Sequence, residues 1–310
     1  MKTNIALITG GAGFIGSNVA ALFLEKGFKV RIVDNLSSGY RKNIEALDVQ
    51  FFQGDIRDIE LMHQACENVN VVVHMAASVG RQKSLDNPQE DAEVNLIGTT
   101  TVLEESRKAG VKTVVYSSSA AIFGELADTP IPEDHPQNAD SPYGVSKLAG
   151  EKQVLCYAGL YGLKTVCLRY FNVFGVNQRF DAYGNVIPIF AKRIFSGQPL
   201  TIYGDGEQTR DFVNVKDVAM ANYLAATSAP SAGVYNVGTG FSVTINYLAQ
   251  RMIEMSGLKG EIKYAPPRSA DVRHCRADIT KAQRELGFSP SADIESGLSG
   301  YLDWYRANEV

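Results

Sequence analysis

Cysteine is scarce in this chain, with four residues in 310, Cys66, Cys156, Cys167 and Cys275. No two form a CxxC pair and they are scattered, which argues against a disulfide framework or a cysteine zinc site and suits a reducing cytoplasm. The four histidines, His63, His74, His135 and His274, have no ligand spacing, so no metal site is expected. Long apolar runs are missing: Val71-Val72-Val73 has strand length, and the apolar start of the chain breaks at glycines after Thr9. Neither a secretory signal nor a membrane span is expected, and the reading is a soluble cytoplasmic protein. Charge of one sign is lacking too: 30 basic against 34 acidic residues leave a net charge of -4, which gives no footing for nucleic acid or an anionic membrane. Internal repeats, low-complexity tracts and flexible linkers are absent. What remains is 45% hydrophobic residues, enough for a sizeable core, in a length that suggests two domains, and 28 glycines whose positions matter.

In the first half, short Val/Ile/Leu-rich runs alternate with amphipathic stretches. Ile5 to Thr9, Lys29 to Val33, Val71 to His74, Lys112 to Ser117 and Thr165 to Arg169 read as strands buried on both faces. Phe14 to Lys26, Ile59 to Cys66, Glu93 to Ala109 and Tyr143 to Tyr161 read as helices, and Gly27 and Gly110 are placed to cap two of them. This alternation predicts an α/β fold with a doubly wound parallel sheet of the Rossmann type. After Asn172 prolines and glycines punctuate shorter segments, predicting a smaller, irregular α/β substrate-binding domain over 173–310 beside a nucleotide-binding domain over 1–172, with 209–236 returning to the first. A cleft between the two is the expected site for a small molecule.

Gly10-Gly11-Ala12-Gly13-Phe14-Ile15-Gly16 joins the first strand to the first helix and fits both G-x-G-x-x-G and G-x-x-G-x-x-G. Glycine lets the backbone turn tightly and approach a pyrophosphate, at which the helix N-terminus aims free N–H groups. Asp34 closes the second strand 18 residues beyond Gly16, near the ~20 expected for an acid that binds the adenosine ribose, and its charge favours NAD over NADP. Asp55, after the third strand, is placed either to accept from an adenine amino group or to cap the next helix. Tyr143 and Lys147 share one face of a helix start, where an ammonium would draw the phenol pKa from ~10 towards neutrality and make Tyr143 a general base. Ser117-Ser118-Ser119 ends the fifth strand, where a hydroxyl could share the proton.

Together with Asp34-Asn35, Asp55-Ile56 and Arg169-Tyr170-Phe171-Asn172, these motifs resemble the extended short-chain dehydrogenase/reductases, and within them the nucleotide-sugar epimerases. The resemblance covers nearly the whole chain. It implies NAD held by Gly10, Gly13, Phe14, Ile15, Gly16, Asp34, Asn35, Ser37, Ser38, Gly39, Asp55, Ile56, Met75, Ala76, Ala77, Asn95, Ser117, Tyr143, Lys147 and Tyr170. It implies catalysis by Ser119, Tyr143 and Lys147, and a UDP-sugar held by Ser119, Asn172, Arg179, Asn185, Val186, Tyr203, Arg210, Arg268 and Asp271. The implied reaction is C4 epimerisation of a UDP-hexose, possible also for its N-acetyl form, through a 4-keto sugar, by an isomerase that releases no NADH. The relatives that eliminate or decarboxylate keep an acid after the catalytic hydroxyl, where this chain has Ala120-Ala121. Cys275 stands where glucose-restricted epimerases carry a bulky Tyr, leaving room for an N-acetyl group, although a plain core residue is the simpler reading.

The alternatives are a UDP-glucuronate or galacturonate 4-epimerase, with Arg179 meeting the sugar carboxylate, and a net NAD-dependent nucleotide-sugar dehydrogenase or reductase. A non-catalytic NAD sensor would have no need of Ser119, Tyr143 and Lys147. By the same resemblance the two helices Glu93 to Ala109 and Tyr143 to Tyr161 form a homodimer interface, with Val102, Leu148 and Leu155 as contacts or, equally, as sheet-packing residues.

Overall fold

The computed structural model describes residues 4–124, 129–180, 185–230, 232–267, 272–290 and 293–310. The first half runs β1 (Ile5–Thr9), α1 (Phe14–Glu25), β2 (Lys29–Asp34), β3 (Val49–Gln53), α2 (Ile59–Cys66), β4 (Val71–His74), α3 (Arg81–Asp86), α4 (Pro88–Ala92), α5 (Thr99–Lys108), β5 (Thr113–Ser119), α6 (Pro142–Tyr161) and β6 (Lys164–Tyr170). The second runs β7 (Asn172–Phe174), α7 (Val186–Phe195), β8 (Leu200–Tyr203), β9 (Thr209–Arg210), β10 (Phe212–Asn214), α8 (Val215–Thr227), β11 (Gly233–Val237), β12 (Val243–Thr244), α9 (Ile245–Ser256), β13 (Ile262–Ala265), α10 (Thr280–Leu286) and α11 (Ile294–Glu309).

Seven strands form one parallel sheet in the order β11-β6-β5-β4-β1-β2-β3. The chain reverses direction across the sheet between β1 and β4, so their carboxyl ends flank the crevice where such sheets bind ligands. Alternation of side chains explains why these runs are apolar throughout. Ala6, Ile8, Val30, Ile32 and Val73 pack on α1 and α8, while Leu7, Val33, Val72 and Val114 pack on α2, α5 and α6. Gly27 and Gly110 adopt φ of +82° and +71°, the left-handed conformation their cap positions need.

Three local expectations give way. Over Glu93–Gly98 the foreseen single helix is a π-helical turn, and only Thr99–Lys108 is α-helical. Gly98 presses on Ile56 there, and the Thr99 hydroxyl bonds the Asn95 carbonyl, tertiary and local contacts that periodicity does not report. Strand β5 runs two residues further than foreseen because its pairing with β6 continues to Ser119 opposite Tyr170. Helix α2 is capped by Asp58, not Asp55.

After β6 the chain builds short two-stranded pairings, β7 with β10, β9 with β12 and β8 with β13. A separate apolar core of Phe190, Ile194, Ile202, Leu248, Leu298 and Tyr301 lies among α7, α9 and α11. Among the described residues no helix is long and apolar enough to cross a membrane. Of the suggested dimer contacts, Val102 is fully buried against the sheet, and Leu148 and Leu155 pack on internal clusters. Exposed apolar residues of these two helical stretches include Ile97, Val145, Leu160 and Tyr161.

Candidate active site

Gly13 caps α1 with extended backbone, and no side chain takes up the first-turn N–H groups. The amides of Phe14, Ile15 and Gly16 are therefore donors at the positive end of a helix. The turn tolerates nothing larger than glycine: a Cβ on Gly16 would lie 2.2 Å from the Gly10 carbonyl oxygen. Gly10, at φ +69°, has the Ala76 amide nitrogen 2.8 Å from where its own Cβ would be. The loops after β1 and β4 thus meet at the switch point with their backbones bare. These residues fit a dinucleotide pyrophosphate.

Asp34, at the end of β2, accepts from the Ala12 amide through Oδ2 (2.9 Å) and from the Leu36 amide through Oδ1 (2.8 Å). Burial pushes its pKa up against the pull of those two amides. Each oxygen keeps a lone pair, the acceptor set that a ribose diol requires. Gly39 packs on this carboxylate, and Ser37 and Ser38 lie exposed beside it. Asn35 donates to Asp55 Oδ2 (3.0 Å), while Arg57 reaches both Asp55 oxygens at 2.9 Å and holds that carboxyl below the usual range. Arg57 was not foreseen. Ile56 is buried and offers the cleft backbone only. The Met75 and Ala76 amides both point at the Thr9 hydroxyl (3.1 and 3.2 Å), and Ala77 continues the loop.

Ser141 caps α6 by accepting from the Gly144 amide, and Pro142 follows at the first helical position, which sets Tyr143 in the first turn and Lys147 one turn on. The Ser119 side chain faces the Tyr143 phenol and pulls its pKa down, and the Lys147 ammonium lies 4.4 Å from the centre of the Tyr116 ring. Gly150 makes room for the Tyr116 hydroxyl beneath the helix. Burial pushes Tyr143 up to about 12, Ser119 working against it and the Asp91 charge with it. Burial pushes Lys147 down to about 8, against Asp91, Cys167 and Glu151. Burial thus holds the phenol above its ordinary value, opposite in direction to the drop towards neutrality expected from a nearby ammonium.

Behind these groups runs a buried polar chain. His74, pushed down to about 3 by burial and hence neutral, bridges Thr9 (2.8 Å) and Thr99 (2.9 Å). Three residues assigned to the cofactor have side chains engaged elsewhere. Asn95 accepts from the Ser78 amide and donates towards Ser78, Asp91 and Ser146. Ser117 bonds the Tyr170 hydroxyl (3.0 Å), which also bonds Asn222. These side chains brace the site from within, a role their motif positions do not reveal.

A cavity of about 230 Å³ opens beside β7 and β9, lined by Asn172, Asn185, Val186, Tyr203 and Arg210, as foreseen, and by Phe190, Thr201, Ile202, Gln208, Phe212 and Ile245, which were not. Of these six, Thr201 and Ile202 lie on β8, Gln208 just before β9, Phe212 at the start of β10, Phe190 within α7 and Ile245 at the start of α9, places no motif marks. Arg179 does not join them. Its guanidinium bonds Glu309 (2.8 Å) and Asn43 (2.7 Å) and lies over the Tyr40 and Trp304 rings, because the C-terminal end of α11 comes back to that spot. Asp211, next to Arg210 in sequence, is fully buried and accepts from the amides of Thr239, Gly240 and Ala277 and from the Thr239 hydroxyl. Cys275 packs with Ile122, Phe123 and Phe171 as a core residue. Arg268 and Asp271 lie outside the described residues. Among the described residues no group of three or more His, Cys, Asp or Glu is arranged to hold a metal ion.

Comparison with known proteins agrees with this geometry. The model of the NAD dependent epimerase/dehydratase family matches residues 6–238. A UDP-glucose 4-epimerase of Mycolicibacterium smegmatis is 35% identical over 306 residues, covering 97% of this chain and 98% of that protein. The crystal structure of UDP-glucose 4-epimerase from Thermotoga maritima with UDP-glucose superposes with a TM-score of 0.93 at 39% identity, covering 98% and 99% of the two chains. The Thermus thermophilus UDP-glucose 4-epimerase complex with NAD gives 0.90 at 36% identity, with coverage of 98% and 99%. A bare glycine turn over a helix N-terminus, an acid at the end of β2 and a Ser-Tyr-Lys set at the sheet's carboxyl edge therefore have one common explanation: the chain belongs to the NAD-dependent epimerase/dehydratase family.

Proposed function

We propose that the protein interconverts the C4 epimers of a UDP-hexose, UDP-glucose and UDP-galactose first, in the cytoplasm and as a homodimer. The observation that carries this reading is the Ser119–Tyr143–Lys147 set beside a short helical turn, Ala120–Ile122, that bears no acid. Elimination and decarboxylation would each need an acid there, and epimerisation does not. The four free cysteines support the compartment, and the exposed Ile97, Val145, Leu160 and Tyr161 support the dimer. The division into a cofactor domain over 1–172 and a mainly substrate domain over 173–310 follows the same reading.

NAD, once bound, supplies reversible two-electron chemistry at the sugar C4. The first-turn amides of α1 hold its pyrophosphate, Asp34 its adenosine ribose and Asp55 its adenine amino group. Lys147 holds the nicotinamide ribose and keeps a positive charge beside the phenol. Tyr143 takes the C4 hydroxyl proton and later returns it, with Ser119 relaying. Arg210 supplies charge-assisted bonds to the UDP diphosphate, and Asn172, Asn185, Val186 and Tyr203 line the rest. A uronate would need a cation turned to the sugar, and Arg179 is turned to Glu309, so the hexose reading leads.

Purified protein is incubated separately with UDP-glucose, UDP-N-acetylglucosamine and UDP-glucuronate, and the C4 epimers are resolved. Epimers of the first, with no net NADH, are expected; conversion of the uronate alone, or stoichiometric NADH release, would overturn the reading. Tyr143→Phe should lower the rate by about 10²–10⁴.

A further inference from the structure

Asp91 closes the short helix α4 and is 1% exposed. Its Oδ2 accepts from the Ser146 hydroxyl at 2.5 Å, and its Oδ1 accepts from the Asn95 amide at 3.1 Å. Ser146 sits between Tyr143 and Lys147 in sequence, and its hydroxyl also faces the Tyr143 carbonyl at 3.1 Å. Asn95 in turn clamps Ser78, just beyond the Met75–Ala77 loop. One buried carboxylate thus ties the first turn of α6 to the π-helical turn and, through it, to the loop after β4. Buried carboxylates are costly unless compensated, and both hydrogen-bond donors here are neutral.

The groups facing this spot are few. Glu151, on α6 itself, is spent on Arg169 (2.6 and 3.0 Å) and on the Ser118 hydroxyl (2.8 Å). His74 of β4 is neutral, Tyr116 of β5 and Cys167 of β6 are pushed far up by burial, and Lys83 of α3 acts on Asp91 from further out. The anion that acts most strongly on Lys147 is Asp91.

We propose that Asp91 is a positioning residue of the reaction: it fixes the turn of α6 that carries Tyr143 and Lys147, and it supplies the negative charge against which the Lys147 ammonium is held in a dry site. It touches neither substrate nor cofactor in this role. It acts through Lys147 and Ser146. The proposal rests on the epimerase reading for its effect on rate, but the charge it assigns to Lys147 is measurable without any sugar.

Asp91→Asn separates charge from shape. The new amide can donate to the Ser146 hydroxyl, which then donates to the Tyr143 carbonyl, so the bonds survive and only the charge goes. Ser146→Ala does the reverse. In NAD-loaded protein carrying ¹³Cε-lysine, with the Lys147 signal assigned through Lys147→Arg, the NMR titration of Lys147 should fall by about one pH unit in Asp91→Asn and stay in place in Ser146→Ala. Because the same charge raises both Tyr143 and Lys147, Asp91→Asn should shift both limbs of the rate profile with UDP-glucose to lower pH. A Lys147 titration unmoved by Asp91→Asn, in a variant that keeps its NAD and its melting temperature, overturns the inference. If Asp91→Asn does not fold, Asp91→Ser removes the same charge while keeping a small polar side chain, and an unmoved Lys147 titration together with unmoved rate limbs in that variant overturns it equally. Wild-type protein that turns over no UDP-sugar would instead sink the proposed reaction, leaving the titration to judge Asp91.

Discussion

Two glycine-to-alanine changes should move the protein in opposite directions, and the reason is visible in the space around each Cα. At Gly16 a methyl group would stand 2.2 Å from the Gly10 carbonyl oxygen and 2.8 Å from the Gly11 Cα, where contacts under 3.0 Å essentially never occur. Most of an ångström has to be found by moving backbone. Gly10 has no retreat, since the Ala76 amide already stands against it. Overpacking of this kind costs about 1–3 kcal/mol, and the strain falls on the turn that seats the pyrophosphate. At 1.4 kcal/mol per decade, NAD affinity in Gly16→Ala should drop by about 10- to 100-fold. Gly159 lies near the end of α6 with nothing within 4 Å of the added methyl. There alanine only removes backbone freedom from the unfolded chain and raises helix propensity, so Gly159→Ala should stabilise by about 0.5–1 kcal/mol and leave NAD binding alone. Calorimetric titration of NAD into stripped protein reads the first effect, and urea unfolding with NAD absent reads the second. Wild-type NAD affinity in Gly16→Ala would refute the placement of the cofactor on this turn. Destabilisation by Gly159→Ala would refute the claim of open space.

Lys147→Met should raise stability at pH 7 by about 1–3 kcal/mol while abolishing turnover, because the wild-type protein buries an ammonium whose pKa falls to about 8. The sign follows from the depressed folded pKa of a base: the penalty is fully present below pH 8 and fades as pH rises towards the unfolded value near 10.5, so the gap between variant and wild type in urea unfolding should close over that range. Arg169→Met should cost about 3–5 kcal/mol, since it strands the fully buried Glu151, and the double change Arg169→Met with Glu151→Leu should recover much of the loss in thermal unfolding. Arg179→Met should speed release of NAD from loaded protein several-fold with little change in kcat, because Arg179 holds Asn43, which bonds the Ala12 carbonyl of the glycine turn. An unchanged off-rate by rapid dilution would show that α11 has no hold on the cofactor loop.

Strands β1, β2, β4 and β6 were legible from composition alone because parallel strands are buried on both faces and so read as unbroken apolar runs. The glycine turn, Asp34 and the Tyr143–Lys147 pair were legible because their spacing is local: one turn of helix, or one strand and one helix, separates the partners. Sequence could not report that Arg179 and Glu309, 130 residues apart, would find each other, nor that Asp91 would lie under Ser146. Nor could it show that Tyr143 is pushed up by burial instead of down by Lys147, because desolvation depends on every element packed around the phenol.

The spaced glycines and the Ser-Tyr-Lys pattern, with few cysteines and no histidine ligand spacing, pointed to the family and to NAD as cofactor on a doubly wound sheet, which the comparisons show. The tertiary structure alone decided which charges are available for that chemistry. Pairing and burial are properties of distance in space, and they turn the side chains of Arg179, Asn95 and Tyr170 to holding the site together.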